Sequence, residues 1–384
     1  MEAAIIAEVT AEPGLRILGT EEKKTMRRYR IAAIPADGIG PEVIDAGLEV
    51  LDALAGRVGF ALDVDRYDWG SARYRRTGAM MPDDGVTQLR GADAIYFGAV
   101  GAPDIPDAIT LWGLRLAIAQ GMDQFANIRP TRILPGVASP LRDVAPADLD
   151  WLIIRENSEG EYAGQGGRSH RGFPEEVATE VAIFTRAGVE RIMRYAFAEA
   201  QRRPAKHLTV VTKSNAQRYG LVLWDEVATL VARDYPDVIW DKELVDAMTV
   251  RMVRRPASID TVVATNLHAD ILTDLAAALA GSIGVAPTAN IDPSRRFPSM
   301  FEPIHGSAFD ITGKGIANPV GALWTASLML EHLGEHEAAA VLMAAIEQVC
   351  AAGIVTPDLG GRATTREVAR AVADALRGVN RPGG

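Results

Sequence analysis

Short apolar runs alternate along this chain with longer stretches in which apolar residues recur every three or four positions. RIAAIP, at 30–35, reads as a strand. PEVIDAGLEVLDALAG, at 41–56, has the spacing of a helix that buries one face. The couplet repeats. FALDVDRYD precedes a helical stretch to Arg90, and ADAIYFGAV precedes the helix ITLWGLRLAIAQGM, which leads into the strand FANIRPTRIL. Later come LDWLIIRE, a helix at about 186–202, HLTVVT, a helix at 216–233, VIWDKELV and IDTVVAT. Such alternation predicts an α/β fold with a largely parallel sheet. Residues 162–184, YAGQGGRSHRGFPEEVATEVAIF, break the rhythm. They hold two β-like runs flanked by glycines and read as a hairpin arm standing off the body.

The opening residues lie outside this pattern. MEAAIIAEVT puts an acid where a secretory signal carries a base, its apolar run is short, and TEEKKTMRR is a charge run. Residues 1–28 are therefore expected to be an extension. The longest uncharged run, residues 275–291, is too short for a membrane span and carries Gly, Ser, Pro, Thr and Asn.

Composition narrows the function. The chain has 384 residues, enough for two domains with a sizeable core. Its formal net charge of −10 argues against nucleic acid or an anionic membrane as partner, because phosphate contacts need a basic face. The single cysteine, Cys350, rules out a disulfide within the chain and fits a reducing cytoplasm.

The six histidines are scattered, and neither paired CxxC units nor HExxH occurs, so zinc is not expected. His332 and His336, in HLGEH, read as a solvated helix end. Carboxylates are more suggestive. VATNLHADILTDLAAAL plants Asp270 and Asp274 four residues apart, on one helical face, where like charges repel. They are either carboxylates favoured by a helix N-terminus or oxygen ligands for Mg²⁺ or Mn²⁺. Asp246, after another β-like run, is a candidate third. Arg115 and Arg129 bracket one helix–strand unit, and Arg155 ends the strand LDWLIIRE, a placement that suits capture of a carboxylate. Lys213 follows the strand HLTVVT directly, where α/β sheets collect their sites, and near a cation it could act as a base. Tyr162 is a candidate proton donor. FEPIHGSAFDITGKGIANP is a polar, glycine-bearing loop able to present N–H groups to a nucleotide, with Asp310 placed for a ribose hydroxyl. ADGIGPEV, a turn into a helix near Pro41, is a weaker signal of the same kind.

Taken together, these stretches resemble the β-decarboxylating dehydrogenases of (R)-hydroxy acids: the isopropylmalate, isocitrate, D-malate and tartrate dehydrogenases. The resemblance runs from about Arg30 to Leu376. It is most specific in NLHADILTDLAAALAGSIGVAPTANI and FEPIHGSAFDITGKGIANP. LWGLRLAIAQGMDQFANIRPTRILPG, RENSEGEYAGQGGR and KSNAQRYG look most like the tartrate and D-malate dehydrogenase (decarboxylating) branch.

The resemblance implies an isopropylmalate-dehydrogenase-like fold, not a Rossmann fold: two α/β domains share a large mixed sheet, and the hairpin arm clasps a second subunit. The large cofactor-binding domain would span 29–124 plus 281–378. The small dimerisation domain would span 125–280, and 379–384 would be a tail. Asp270 and Asp274, with Asp246 of the other copy, would hold Mg²⁺ or Mn²⁺, and a monovalent cation is left open as a further cofactor. Lys213, also from the other copy, would take the substrate hydroxyl proton, and Tyr162 would protonate carbon after decarboxylation. Arg129 and Arg155 would grip substrate carboxylates. His305, Gly306, Ser307, Ala308, Asp310 and Asn318 would bind the cofactor, with Asp310 favouring NAD over NADP. The isopropylmalate and isocitrate members carry a further substrate arginine ten residues before the Arg129 position. Here that position is Ala119. Arg115, one helical turn earlier and about 40° away around the axis, is the candidate to reach in instead. Trp112 stands near where the family reads the distinguishing group of its substrate, and a bulky ring there suits a small group. The implied activity is oxidation of a small (R)-2-hydroxy diacid, tartrate or D-malate, by a homodimer with shared active sites. The alternative is 3-isopropylmalate.

Overall fold

The computed structural model describes residues 26–378. β1 (Arg27–Ala36), α1 (Gly40–Val58) and β2 (Phe60–Arg66) form the first βαβ unit. The helix stops at Gly59, whose φ of 92° lies in the left-handed region that glycine tolerates. The expected helix up to Arg90 is two short ones, α2 (Ser71–Thr77) and α3 (Gly85–Leu89), because Gly78 caps the first with φ 80°. β3 (Ala94–Ala99) is buried throughout. A continuous helical stretch follows, made of α4 (Asp107–Thr110), a π-helical turn at Leu111–Arg115 and α5 (Leu116–Gly121). It delivers the chain to β4 (Ala126–Arg132) and β5 (Asp150–Glu156).

Then come β6 (Gly160–Ser169), β7 (Val177–Ile183), α6 (Arg186–Arg202), β8 (His207–Thr212) and α7 (Gly220–Val231), the last starting four residues later than its pattern predicts. β9 (Ile239–Leu244), α8 (Val245–Arg254), β10 (Thr261–Ala264) and α9 (Asn266–Leu279) follow. The chain closes through β11 (Pro287–Ile291), β12 (Ser299–Pro303), α10 (Val320–His332), α11 (His336–Ala351) and α12 (Thr365–Ala375).

Ten strands make one sheet in the order β2-β1-β3-β12-β11-β4-β5-β10-β8-β9. Its two flanks are parallel, as the strand–helix alternation predicts. Its middle is not: β11 runs antiparallel to both β12 and β4, and β4 antiparallel to β5. The sheet is therefore mixed, and the antiparallel middle carries the candidate site. Helices cover both faces, so strands such as β3 and β10 read as unbroken apolar runs. One large apolar cluster packs α1, α6, α7 and α10–α12 on the sheet. Smaller ones lie under α8 and α9 and around Trp69, Leu114 and Ile118.

β6 and β7 form a separate antiparallel hairpin, the arm expected from the sequence, and Phe173, Val177 and Val181 on it are exposed. Arg27 and Arg28 pair with Phe60 and Ala61, so β1 reaches into the segment read as an extension. Residues 1–25 and the tail at 379–384 lie outside the described residues. No helix among the described residues is long and apolar enough to cross a membrane.

Candidate active site

β4 and β5 are directly opposed, with Asn127 facing Arg155, and side chains opposed in this way lie on one face of the sheet. Arg129, two residues beyond Asn127, shares that face. α9 begins beside it because the Thr265 side chain caps the helix by accepting the His268 N–H. Its first turns bring Asp270 and Asp274 over the arginines. The outcome is a cleft of ≈ 200 Å³ lined by Leu111, Arg115, Arg129, Arg155, Tyr162, Asp270, Asp274, Thr288, Glu302, Pro303 and Ile304. Six of the residues singled out from sequence meet here: Arg115, Arg129, Arg155, Tyr162, Asp270 and Asp274.

Asp270 is the pivot. One carboxylate oxygen accepts from Arg155 Nη1 and lies 3.6 Å from Arg129 Nη2, while the other accepts from Tyr162 Oη at 3.1 Å. Burial pushes its carboxyl up, but Arg155 and Arg129 outweigh burial and hold it below the ordinary value. Asp274 makes no ion pair among the described residues. Burial, and then the charge of Asp270, push its carboxyl above the ordinary value. The repulsion read from the four-residue spacing is thus present in the folded chain, and a divalent cation between the two would relieve it.

The arginines are tightly held. Arg155 Nε donates to Asn266 Oδ1 at 2.9 Å, and its guanidinium lies over the Tyr162 ring, 5.2 Å from the centroid. Arg129 donates to Asn127 Oδ1 at 2.7 Å and to Thr273 Oγ1 at 2.5 Å. Burial, and then the neighbouring Arg155, push the Arg129 pKa down, and Asp270, which the two arginines share, offsets this only in part. Tyr162 is pushed up by burial and by Asp270, so its hydroxyl keeps its proton at neutral pH. Arg115 reaches the cleft from the π turn and pairs with Glu302, Nη2 to Oε1 at 2.6 Å.

Not every expected residue arrives. Trp112 does not line the cleft; Leu111 does. The π turn inserts one residue into the helical ladder and so shifts the register by about 100°. The Trp112 ring instead packs over Gly164 of the arm and lines a separate hollow with Tyr74, Met80 and Met81. Lys213 and Asp246, expected to serve the site of a second copy, pair with each other at 2.5 Å, outside this chain's cleft. No group of three or more acidic, His or Cys residues able to hold a metal forms among the described residues. His332, expected to be solvated, packs its ring on Phe301 with centroids 5.4 Å apart.

A second hollow of ≈ 400 Å³ lies beyond the end of β12, where Ile304 lines the cleft and His305 lines the hollow. His305, Ala308, Asp310 and Asn318 all line it, with Ile39, Ser282, Ile283, Gly284 and Asp358. Gly306 and Ser307 belong to the same loop. The Ser307 carbonyl accepts the Ile39 N–H at 2.9 Å, which ties the loop to the ADGIG turn. His305 Nδ1 bonds the Gly306 carbonyl at 2.8 Å, and burial pushes its pKa down, leaving a neutral ring. Its Nε2 is buried without a partner, as a site awaiting a ligand would leave it. Asp358 accepts from Ser282, Asn318 and Thr356.

Sequence reasoning missed Glu302, Thr288 and Asp358. Glu302 had a signal, a lone charge inside the apolar start of FEPIHGSAF. Thr288 and Asp358 had none, because they reach the site through strand register and a distant turn.

A model of the isocitrate/isopropylmalate dehydrogenase family matches residues 30–372. The chain belongs to that family. Within its reach, a protein of Agrobacterium vitis named "Probable tartrate dehydrogenase/decarboxylase TtuC" is 70% identical over 92% of this chain and 98% of its own length. The D-malate dehydrogenase [decarboxylating] of Escherichia coli K12 is 50% identical over 90% of this chain and 98% of its own length. Among solved structures, isocitrate dehydrogenase from Methylococcus capsulatus superposes with a TM-score of 0.82 at 35% identity, covering 91% of this chain and 99% of that one. The family's fold, an α/β architecture on a large mixed sheet, is the fold described above.

Proposed function

We propose that this oxidoreductase carries out an NAD- and divalent-metal-dependent oxidation of a small (R)-2-hydroxy diacid, tartrate or D-malate, with or without loss of CO₂. The observation that carries the reading is the convergence of two buried arginines, a protonated tyrosine and two helix-borne carboxylates in one cleft beside a nucleotide-sized hollow. The names of the relatives point to the same substrates.

Arg129 and Arg155 bind the substrate carboxylates, and their fixed hydrogen bonds orient the diacid before reaction. Asp270 and Asp274 fit a hard divalent cation, and Asp246 of a second copy completes the set in this reading. Bound there, the cation supplies Lewis acidity toward the substrate oxygens. Lys213 of that second copy would take the C2 hydroxyl proton, and the hollow with His305, Asp310 and Asn318 would hold NAD⁺, which would supply the hydride acceptor. The product of D-malate oxidation is a β-keto acid; loss of CO₂ leaves an enol, which Tyr162 protonates on carbon to give pyruvate. The two-domain division at 125 and 281, the homodimer and a cytoplasmic setting belong to the same proposal.

The alternative, 3-isopropylmalate, has one observation in its favour: Leu111, Pro303 and Ile304 give the cleft an apolar side that Trp112 does not close. NADH formation with Mn²⁺ and NAD⁺ separates the two. Higher kcat/KM on D-malate or L-tartrate than on 3-isopropylmalate is the expected result, and the reverse order overturns it. Activity that EDTA leaves untouched would refute the metal assignment.

A further inference from the structure

Three strands of the sheet carry a row of buried polar groups, of which the proposed chemistry uses only Arg155. In the antiparallel pairs, Asn290 on β11 stands opposite Asn127 on β4, and Asn127 opposite Arg155 on β5. Asn290 is fully buried. Its amide nitrogen donates to Glu302 Oε1 at 2.9 Å and to the Met300 carbonyl at 3.4 Å. Its oxygen accepts from Asn127 Nδ2 at 2.7 Å, Asn157 Nδ2 at 3.0 Å and Arg115 Nη2 at 3.3 Å.

Two arms of this hub end on cleft arginines. On one side Glu302 takes Arg115 Nε at 2.7 Å. On the other, Asn127 Oδ1 takes Arg129 Nε at 2.7 Å. Both guanidiniums line the cleft. Arg115 Nη2 is also held by Glu302 and Asn290, and Arg129 Nη1 by Thr273, so a ligand would meet Arg115 Nη1 and Arg129 Nη2, the latter 3.6 Å from Asp270. An amide suits this centre because it must donate to a carboxylate on one side and accept from donors on the other. A carboxylate there would repel Glu302, and an apolar group would leave the Asn127 amide nitrogen without its acceptor and take one bond each from Glu302, Asn157 and Arg115.

We propose that Asn290 is a positioning residue that locks Arg115 and Arg129 into one clamp for the substrate diacid, with Arg115 standing in where Ala119 offers no guanidinium. This rests on the diacid reading of the cleft. Asn290 touches no substrate. It acts by holding two arginines at a set separation, so its loss weakens substrate and transition state alike and falls on KM rather than kcat.

The test is Asn290→Ser, alone and with Arg115→Ala, with KM and kcat for D-malate or L-tartrate, whichever the wild type prefers. Thermal melts with and without malonate, a diacid that is not turned over, give a second readout. KM is expected to rise about tenfold with kcat changed less than about threefold. The rise of melting temperature caused by malonate is expected to shrink. In the Arg115→Ala background, Asn290→Ser should raise KM less than it does in the wild type, since only the Arg129 arm remains to be loosened. Unchanged KM and an unchanged malonate effect beside a lowered melting temperature would overturn the proposal and leave Asn290 a purely structural residue. Additive effects of the two substitutions would also overturn it. Absence of turnover in the wild type refutes the diacid reading itself, and the malonate melts then judge the clamp: no malonate effect on the wild type sinks it too. If Asn290→Ser does not fold, Asn127→Ser cuts the Arg129 arm of the same chain and is held to the same outcomes.

Discussion

His332 ends α10 with its ring against Phe301, and burial, assisted by the charge of Arg295, pushes its pKa down to about 4. An unfolded histidine titrates near 6.5. Between those values the unfolded chain binds the proton and the folded chain does not, so stability rises with pH across the window and falls as pH drops from about 6.5 to 4. His332→Gln should flatten that part of the profile by up to ~1.4 kcal/mol per pH unit. Thermal melts from pH 7 to pH 4 measure it, and a slope equal to that of the wild type would mean that the ring is solvated when folded. The same residue illustrates the limit of local reading. HLGEH is a polar stretch, but the position of His332 on α10 turns it toward the sheet, while His336 remains exposed beside Glu331. Asp270 and Asp274 were legible as a pair because like charges at that spacing need a reason. That Asp270 has two arginine partners and Asp274 none was not legible, since the arginines lie on other elements.

The ADGIG turn and the loop after β12 form one unit at the level of elements. Gly38 has φ 58°, and a Cβ there would lie 1.9 Å from the Ser307 carbonyl oxygen. No side-chain rotation relieves a clash with backbone. Gly38→Ala should therefore displace the Ser307 loop and raise KM for NAD⁺ by at least about tenfold, with KM for the diacid changed little. Equal effects on both constants would show that the turn does not act on the cofactor loop alone. The turn was visible as a weak motif; its contact with a loop some 270 residues away was not. The helix ITLWGLRLAIAQGM was read correctly in type and extent. Its π turn went unseen, because propensity and periodicity carry no mark for one inserted residue, and that residue exchanges Trp112 for Leu111 at the cleft.

At the scale of the whole molecule, Lys213 and Asp246 face each other at 2.5 Å, apart from Asp270 and Asp274. If a second copy brings them in, each site draws on two subunits. Lys213→Ala and Tyr162→Phe, each nearly inactive alone, should then complement. Mixed and re-equilibrated subunits would regain up to about a quarter of wild-type activity, since half the dimers are mixed and one of two sites in each is intact. Separately purified variants that regain nothing after subunit exchange, shown by mass-tagged heterodimers, would place each site within one chain.

The sequence by itself determined the class of fold, the arm, and most of the charged groups that line the cleft. These follow from short-range rules: hydrophobic period, turn residues, and charged side chains left in apolar settings. Tertiary structure alone decided that the middle of the sheet is antiparallel, that Asn290 stands opposite Asn127, and that Glu302 meets Arg115. Those facts depend on strand order and register, set by how the helices on both faces pack together, and no window of the sequence contains that packing.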